Sequence, residues 1–456
     1  MASVHTRVLV PSGALGISFD HAAFERGLTQ RPDIICIDGG STDSGPYYLG
    51  TGTSKYSRTV TRSEWRKLMQ ARAALGVPLM IGTSGTCGTD ASVDWMLDIT
   101  AELAAELGQS VRVATLKSEQ PAARVADAFA AGRVRALDGA PSLAPEAVGQ
   151  CSHIVALAGA EQMAAALDTG ADIVLAGRAT DTATIAALPL QRGASAGGAW
   201  HGAKIAECGA LCSSHPTTGV VLVEFDTDGF TVEPMAAAAR CTPHSVSAHM
   251  LYENSDPLTL YEPGGRLEVD GARYEQLDDR RVRVTRSRWV DEERYTVKLE
   301  GARAAGFQTT MMAVLRDARY VANARQWVDG LQAFAIEQIA TRMGLDAGSY
   351  QLEFRLVGID AALGALENRT GTPVEVGVLG IVTAAEQSLA TEIAKLINPW
   401  LLHYPLTADE ELPTFAFPYS PAETERGPLY EFCLHHVMEL DDPMEAFRLE
   451  VIDVGS

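Results

Sequence analysis

The sequence predicts an α/β protein: a parallel sheet of βα units, doubly wound in the Rossmann manner, followed by a smaller α+β domain. Two observations carry this. Through residues 1–190, short apolar β-branched runs alternate with amphipathic Ala/Leu-rich segments, the pattern of a parallel sheet buried on both faces. Beyond residue 305 strands and helices recur without that regular alternation.

The expected strands of the first domain are RVLVPSG (7–13), DIICIDGG (33–40), VPLMIGTSG (77–85), VRVATLKS (111–118), HIVALAG (153–159) and DIVLAG (172–177). The helical segments between them include RSEWRKLMQARAALG and SVDWMLDITAELAAELG, and several end in the glycine that commonly follows a helix. Residues 191–305 open on QRGASAGGAWHGA, a small-residue linker or lid, and continue as charge-rich alternation typical of antiparallel strands with solvated faces. Residues 306–456 form the α+β domain. Its strands are FQTTMMAVLR, YQLEFRLVGI and PVEVGVLGIVTA, its helices lie near 322–343 and 386–402, and FRLEVIDV forms one more edge strand.

Bulk properties narrow the function. The chain has 456 residues and a formal charge of −21, which argues against nucleic acid or an anionic membrane as partner. The seven cysteines are irregularly spaced and form no C-x-x-C, as expected of reduced thiols in the cytoplasm. There is no apolar stretch of signal-peptide character at the start and no run of about 18 apolar residues that would span a membrane.

In α/β sheets ligands bind beyond the carboxyl ends of the strands. The loops expected there are STDSGP, TSGTCGTD, KSEQ, AGAE and GRATDTAT, all rich in Ser, Thr, Gly and Asp. None has the spacing of a dinucleotide fingerprint or a P-loop, so no cofactor is expected. Their hydroxyls and backbone N–H groups suit a small polar substrate. Ser41, Thr42, Ser44, Ser84 and Thr86 are candidates to orient it. Asp43 is a candidate base, although such an aspartate also serves as an ordinary turn residue. In GRATDTAT, Thr180, Asp181 or Thr182 caps the following helix, and Arg178 either clamps an anion or pairs internally with Asp181. In AECGALC, Glu207 adjoins Cys208, which is either a nucleophile served by His201, His215 or His244, or a buried apolar thiol. A metal site from Cys208, Cys212 and His215 lacks a second ligand cluster. His249, Tyr252 and Asp256 stand at helical spacing and offer further acid/base groups.

The ordered segments IDGGSTDSGP, GTSGT, ADIVLAGRATDTA, KIAECGA and HMLYENSDP, with IVTAAEQSLATEIAKLINPWLLHY near the end, resemble the acyclic terpene utilisation (AtuA-like) family over nearly the whole chain. GADIVLAGRATD and AECGA are the most specific pieces. The resemblance implies catabolism of branched or terpenoid carboxylic acids, as free acids or CoA thioesters, and a small partner protein.

Together these features predict a cytoplasmic, homo-oligomeric enzyme that needs neither cofactor nor metal. It performs lyase, hydratase or isomerase chemistry on a small carboxylic acid or its CoA thioester. Arg178 holds the carboxylate, Asp43 or Asp181 is the base, and Glu207, Cys208 or His249 completes the acid/base pair. Two alternatives are a hydrolase or acyl transferase using a Cys or Ser nucleophile, and a non-catalytic subunit of an acyl-CoA-processing complex.

Overall fold

The computed structural model describes residues 5–140 and 145–455. The chain forms two compact units, Met1–Arg303 with Phe432–Ser456, and Ala304–Glu431. The region expected as a separate middle segment, 191–305, thus folds almost entirely within the first unit, and the last residues return to it.

The first unit is built on a ten-stranded mixed sheet. Its centre is five parallel strands in the order Thr6–Val10, Ile34–Asp38, Leu79–Gly82, Ile173–Ala176 and Val111–Lys117. Antiparallel strands flank them. Val221–Phe225 and Gly229–Pro234 form a hairpin beside Thr6–Val10, and Val282–Thr285 and Arg273–Gln276 extend it. At the far edge Arg448–Val454 pairs antiparallel with Val111–Lys117: FRLEVIDV is an edge strand, but of this sheet and not of the C-terminal domain in which it was expected. The fold is therefore mixed α/β, not the all-parallel sheet expected. Val221–Phe225 joins Thr6–Val10 antiparallel, and its hairpin turn into Gly229–Pro234 continues the antiparallel pairing outward.

One expected sheet member lies elsewhere. His153–Ala156 pairs antiparallel with residues 299–302. The remaining five runs occupy the centre, and their alternate residues face opposite layers. Leu9, Ile35, Ile81 and Leu175 pack with Trp65, Met96 and Ile99 from the helices Arg58–Leu75 and Asp90–Leu107. Val8, Cys36, Met80 and Val174 pack with Met163, Ile185 and Trp200 on the other face. Ser57 and Thr89 cap the two long helices, and Gly76 and Gly108 end them with φ of 67° and 62°.

The segment expected as a linker or lid is the buried helix Ala196–Ala206. Its glycines belong to packing, not flexibility. A Cβ at Gly197 would lie 2.1 Å from the Ser287 carbonyl oxygen, and one at Gly202 would lie 2.5 Å from the Phe225 ring. The helix approaches the strands backbone to backbone.

The second unit is an antiparallel α+β layer. Val376–Ala384 lies between Tyr350–Val357 and residues 307–315. Trp327 and Leu331 of Ala324–Met343, with Ile393 and Ile397 of Gln387–His403, cover it. No helix among the described residues is long and apolar enough to cross a membrane.

Small residues also lock the loops above the parallel strands together. A Cβ on Gly39 would sit 2.3 Å from the Thr83 carbonyl oxygen, and one on Gly88 would sit 2.1 Å from the Arg178 amide nitrogen. Gly39→Ala is expected to destabilise the protein by about 1–3 kcal/mol, the usual cost of overpacking, measured by urea unfolding. An unchanged midpoint would show that these loops are not in the close contact described.

Candidate active site

A cavity of about 620 Å³ opens in the first unit beyond the carboxyl ends of the parallel strands, and Ser12, Asp38, Ser41, Lys55, Asp181 and Cys208 are among its walls. Asp43, Ser44, Tyr56, Tyr252 and Glu253 line it as well. The cavity thus lies where α/β sheets commonly bind ligands: Asp38 ends one strand, and Asp181 opens the helix after another. A cavity of the same volume, about 620 Å³, in the second unit includes Arg319, Tyr320 and Glu410. There Glu410 accepts from both Tyr320 and Arg319.

Beneath the first cavity lies a buried ion network. The Arg178 guanidinium donates through Nε to Glu300 Oε2 (3.0 Å) and through Nη1 to Thr83 Oγ1 (3.1 Å) and the Ala179 carbonyl (2.9 Å). Its Nη1 also lies 3.5 Å from Asp181 Oδ1. Glu300 accepts in turn from Thr42 (2.9 Å) and Lys298 (2.8 Å). Burial pushes the Glu300 carboxyl up, but Arg178 and Lys298 prevail and hold it well below the usual carboxylate range. Arg178 is thus an internal tie, not the open anion clamp expected of it. Its burial makes that tie worth keeping intact, because a guanidinium left there alone would be costly.

Asp38 is the residue the sequence reading missed. It is 6% exposed. Its Oδ2 accepts from the Gly40 amide at 2.9 Å, while its buried Oδ1 has no hydrogen-bond partner among the described residues. Burial first, and then the nearby Asp181 charge, raise its pKa well above the ordinary value, against the opposing pull of Arg178. Burial likewise raises Asp181, against Arg178. Desolvation thus shifts both carboxyls toward their protonated forms, and the Asp181 charge adds to that shift at Asp38. The available signal was an acidic residue closing a wholly buried strand, where the ladder ends and only a ligand or a loop amide can satisfy it.

The helix Ala196–Ala206 delivers a second ionic pair. Lys204 donates to Glu207, and both are buried. Burial carries Glu207 up to about 8 despite Lys204. Glu262 is pushed up to about 7 by burial, although Thr180 and Thr182 donate to it, and its buried Oε2 has no partner. Cys208 follows Glu207 on the cavity wall and shares a hydrogen bond with the Tyr252 hydroxyl. Burial and then the Glu207 and Asp181 charges push its thiol up, the opposite of what an activated nucleophile needs. His249 is buried, with its ring stacked on Tyr252 at 5.3 Å. Burial and then Lys204 lower it to about 4, so it is neutral.

The candidates from the sequence therefore divide. Ser41, Asp43, Ser44, Asp181 and Cys208 reach the cavity. Thr42, Ser84, Thr86, Arg178, Thr180, Glu207 and His249 stand behind it or frame it. Thr180 caps the helix Asp181–Gln191, Thr86 accepts from the Lys55 amide, and Ser84 is fully buried with an unpartnered hydroxyl. Asp256 only closes a turn by accepting from the Leu258 amide. Cys212 lies beside Cys241 at 3.9 Å instead of sharing a site with His215. Strained backbone surrounds the site. Thr83 and Thr86 hold φ of 53° and 74°, and Ser18 and Glu253 on the wall hold 74° and 49°. Such values are rare outside glycine and rarest for a β-branched residue.

Two measurements test this electrostatic arrangement. A raised carboxyl binds more protons folded than unfolded, so it costs stability progressively as pH rises above its unfolded value. Asp38→Asn should therefore raise Tm, by more at about pH 8 than at about pH 5; a gain that shrinks with rising pH would contradict the burial of a protonated Asp38. Glu300→Gln strands Arg178 and should cost about 3–5 kcal/mol in chemical denaturation.

Comparison with known proteins places this geometry in a family. The model of the acyclic terpene utilisation family protein AtuA matches residues 89–410. That span includes Arg178, Asp181, Lys204, Glu207, Cys208 and Glu300, and leaves out Asp38 and Lys55. No curated protein and no solved structure matches the chain. The match covers well over half of the sequence, and four of the resembling segments, IDGGSTDSGP, ADIVLAGRATDTA, KIAECGA and HMLYENSDP, supply residues of the cavity wall: the chain belongs to the acyclic terpene utilisation family.

Proposed function

We propose that the protein is an acid/base enzyme of the lyase, hydratase or isomerase class, acting on a small branched carboxylic acid or its CoA thioester in cytoplasmic catabolism. The observation that carries this reading is the Asp38–Asp181 pair at the cavity floor, with the unpartnered Asp38 Oδ1.

The two carboxyls differ in setting, which assigns their roles. Asp181 stands in the first helical turn and near Arg178, both of which favour its anion. Asp38 is the less exposed of the two, and burial favours its protonated form. For dehydration of a hydroxy acid, Asp181 takes the proton from the carbon next to the carbonyl. Asp38 gives its proton to the departing hydroxyl, which leaves as water. The new C=C bond takes up the electron pair of the broken C–H bond. Hydration runs the same steps backwards. Isomerisation needs only that the proton return at a different carbon. General acid/base groups of this kind contribute about 10²–10⁴ each.

The nucleophilic alternative loses support from the raised Cys208 thiol. His201, one of its prospective bases, is fully buried, and burial lowers it to about 3.

Proton exchange tests the proposal before the full reaction is known. The wild-type protein, incubated in deuterated water with short branched acids bearing a hydroxyl or double bond near the carboxyl group, and with their CoA thioesters, should place deuterium beside the carbonyl. Asp38→Asn and Asp181→Asn should each slow this by about 100-fold or more, while Cys208→Ser should stay close to wild type. Loss of exchange in Cys208→Ser with retention in Asp38→Asn would replace the acid/base reading with the nucleophilic one.

A further inference from the structure

Resting on the acid/base reading, we infer that Lys55 selects the substrate by pairing with its free carboxylate at the cavity rim, and that the substrate is a small free acid, not a CoA thioester. Four carboxyl-bearing residues line the cavity, Asp38, Asp43, Asp181 and Glu253, against one cation, Lys55. Despite these neighbours, Lys55 has no ion pair among the described residues. Its ammonium is held by a neutral hydroxyl, Ser44 Oγ, at 2.9 Å, and lies 5.9 Å from the Tyr56 ring centroid. An ammonium has three donors, so at least one remains for an incoming anion. Its backbone is fixed from below, where the Lys55 amide donates to Thr86 Oγ1 at 3.1 Å.

The other cations near the site are spent. Arg178 is committed to Glu300, and Lys204 to Glu207. One available positive charge matches one carboxylate. A CoA thioester lacks that carboxylate and brings several phosphate charges instead. Those charges would meet Asp43 and Glu253 at the opening and a chain of net charge −21 beyond it, which repels them. Size agrees with the smaller ligand, since about 620 Å³ lies in the range that holds a compact small molecule. With its carboxylate at Lys55, the substrate presents its hydroxyl or carbonyl oxygen to the unpartnered Asp38 Oδ1.

The test compares the free acid, the methyl ester and the CoA thioester of each acid in the exchange assay, using wild type, Lys55→Gln and Lys55→Arg. The expected result is exchange with free acids alone. Lys55→Gln should raise their KM about tenfold to a hundredfold, the loss of one charge-assisted hydrogen bond, with kcat changed little, and Lys55→Arg should restore most of the affinity. Exchange with the thioesters in preference to the acids, an unchanged KM in Lys55→Gln, or exchange with none of the compounds would each overturn the inference. The first two leave the acid/base reading standing if Asp38→Asn still abolishes exchange, so the two failures are separable.

Discussion

The buried Arg178–Glu300 pair is the constraint on which the site depends. Three stretches remote in sequence meet there: the loop containing Thr42, the loop containing Thr83, and the strand segment carrying Glu300. Thr42 donates to Glu300, Thr83 accepts from Arg178, and neither ion can leave without stranding the other. A desolvated ion pair is weak evidence for net stability, but it is an exacting condition on geometry. Here it fixes the loops that carry Asp38 and Asp181, and the absence of Cβ atoms at Gly39 and Gly88 lets their backbones come close enough to be fixed.

That arrangement leaves carboxyls without counterions. Glu300 takes Arg178 and Lys298, and Glu207 takes Lys204, while Asp181 shares Arg178 at 3.5 Å and burial pushes Asp38 and Glu262 toward their protonated forms. In a merely structural network such groups would be replaced by amides or apolar residues at a gain in stability. Their presence around a cavity, together with strained residues such as Thr83 and Thr86, is the usual mark of stability given up for chemistry.

Much of the fold was legible because burial on two faces leaves a plain trace: five of the six apolar runs became the central parallel strands, and FRLEVIDV became the edge. HIVALAG looked the same in sequence but pairs with residues 299–302, since an apolar run encodes burial and not its partner. QRGASAGGAWHGA misled for a physical reason as well. Glycine marks either freedom or close approach, and only the neighbouring strands decide which. Of the loops expected at the carboxyl ends, STDSGP and GRATDTAT reach the cavity, where Asp43, Asp181 and Cys208 face it, whereas TSGTCGTD, KSEQ and AGAE are not among its walls. Arg178 was read as a ligand clamp because Glu300 lies 122 residues away. Asp38 was passed over as the last residue of a strand.

The path of the chain has a consequence for its synthesis. Residues Ala304–Glu431 form a unit of their own, and only afterwards does the chain return to the first unit, where Arg448–Val454 covers the edge strand Val111–Lys117. A ribosome releases the polypeptide from its N-terminal end. The large sheet must therefore wait, with that edge's hydrogen-bonding groups unpaired, while the whole second unit emerges. An open sheet edge is a template for pairing with another chain. The nascent protein is thus most prone to aggregate during this interval, and chaperones that shield strand edges would have their greatest effect on its yield there.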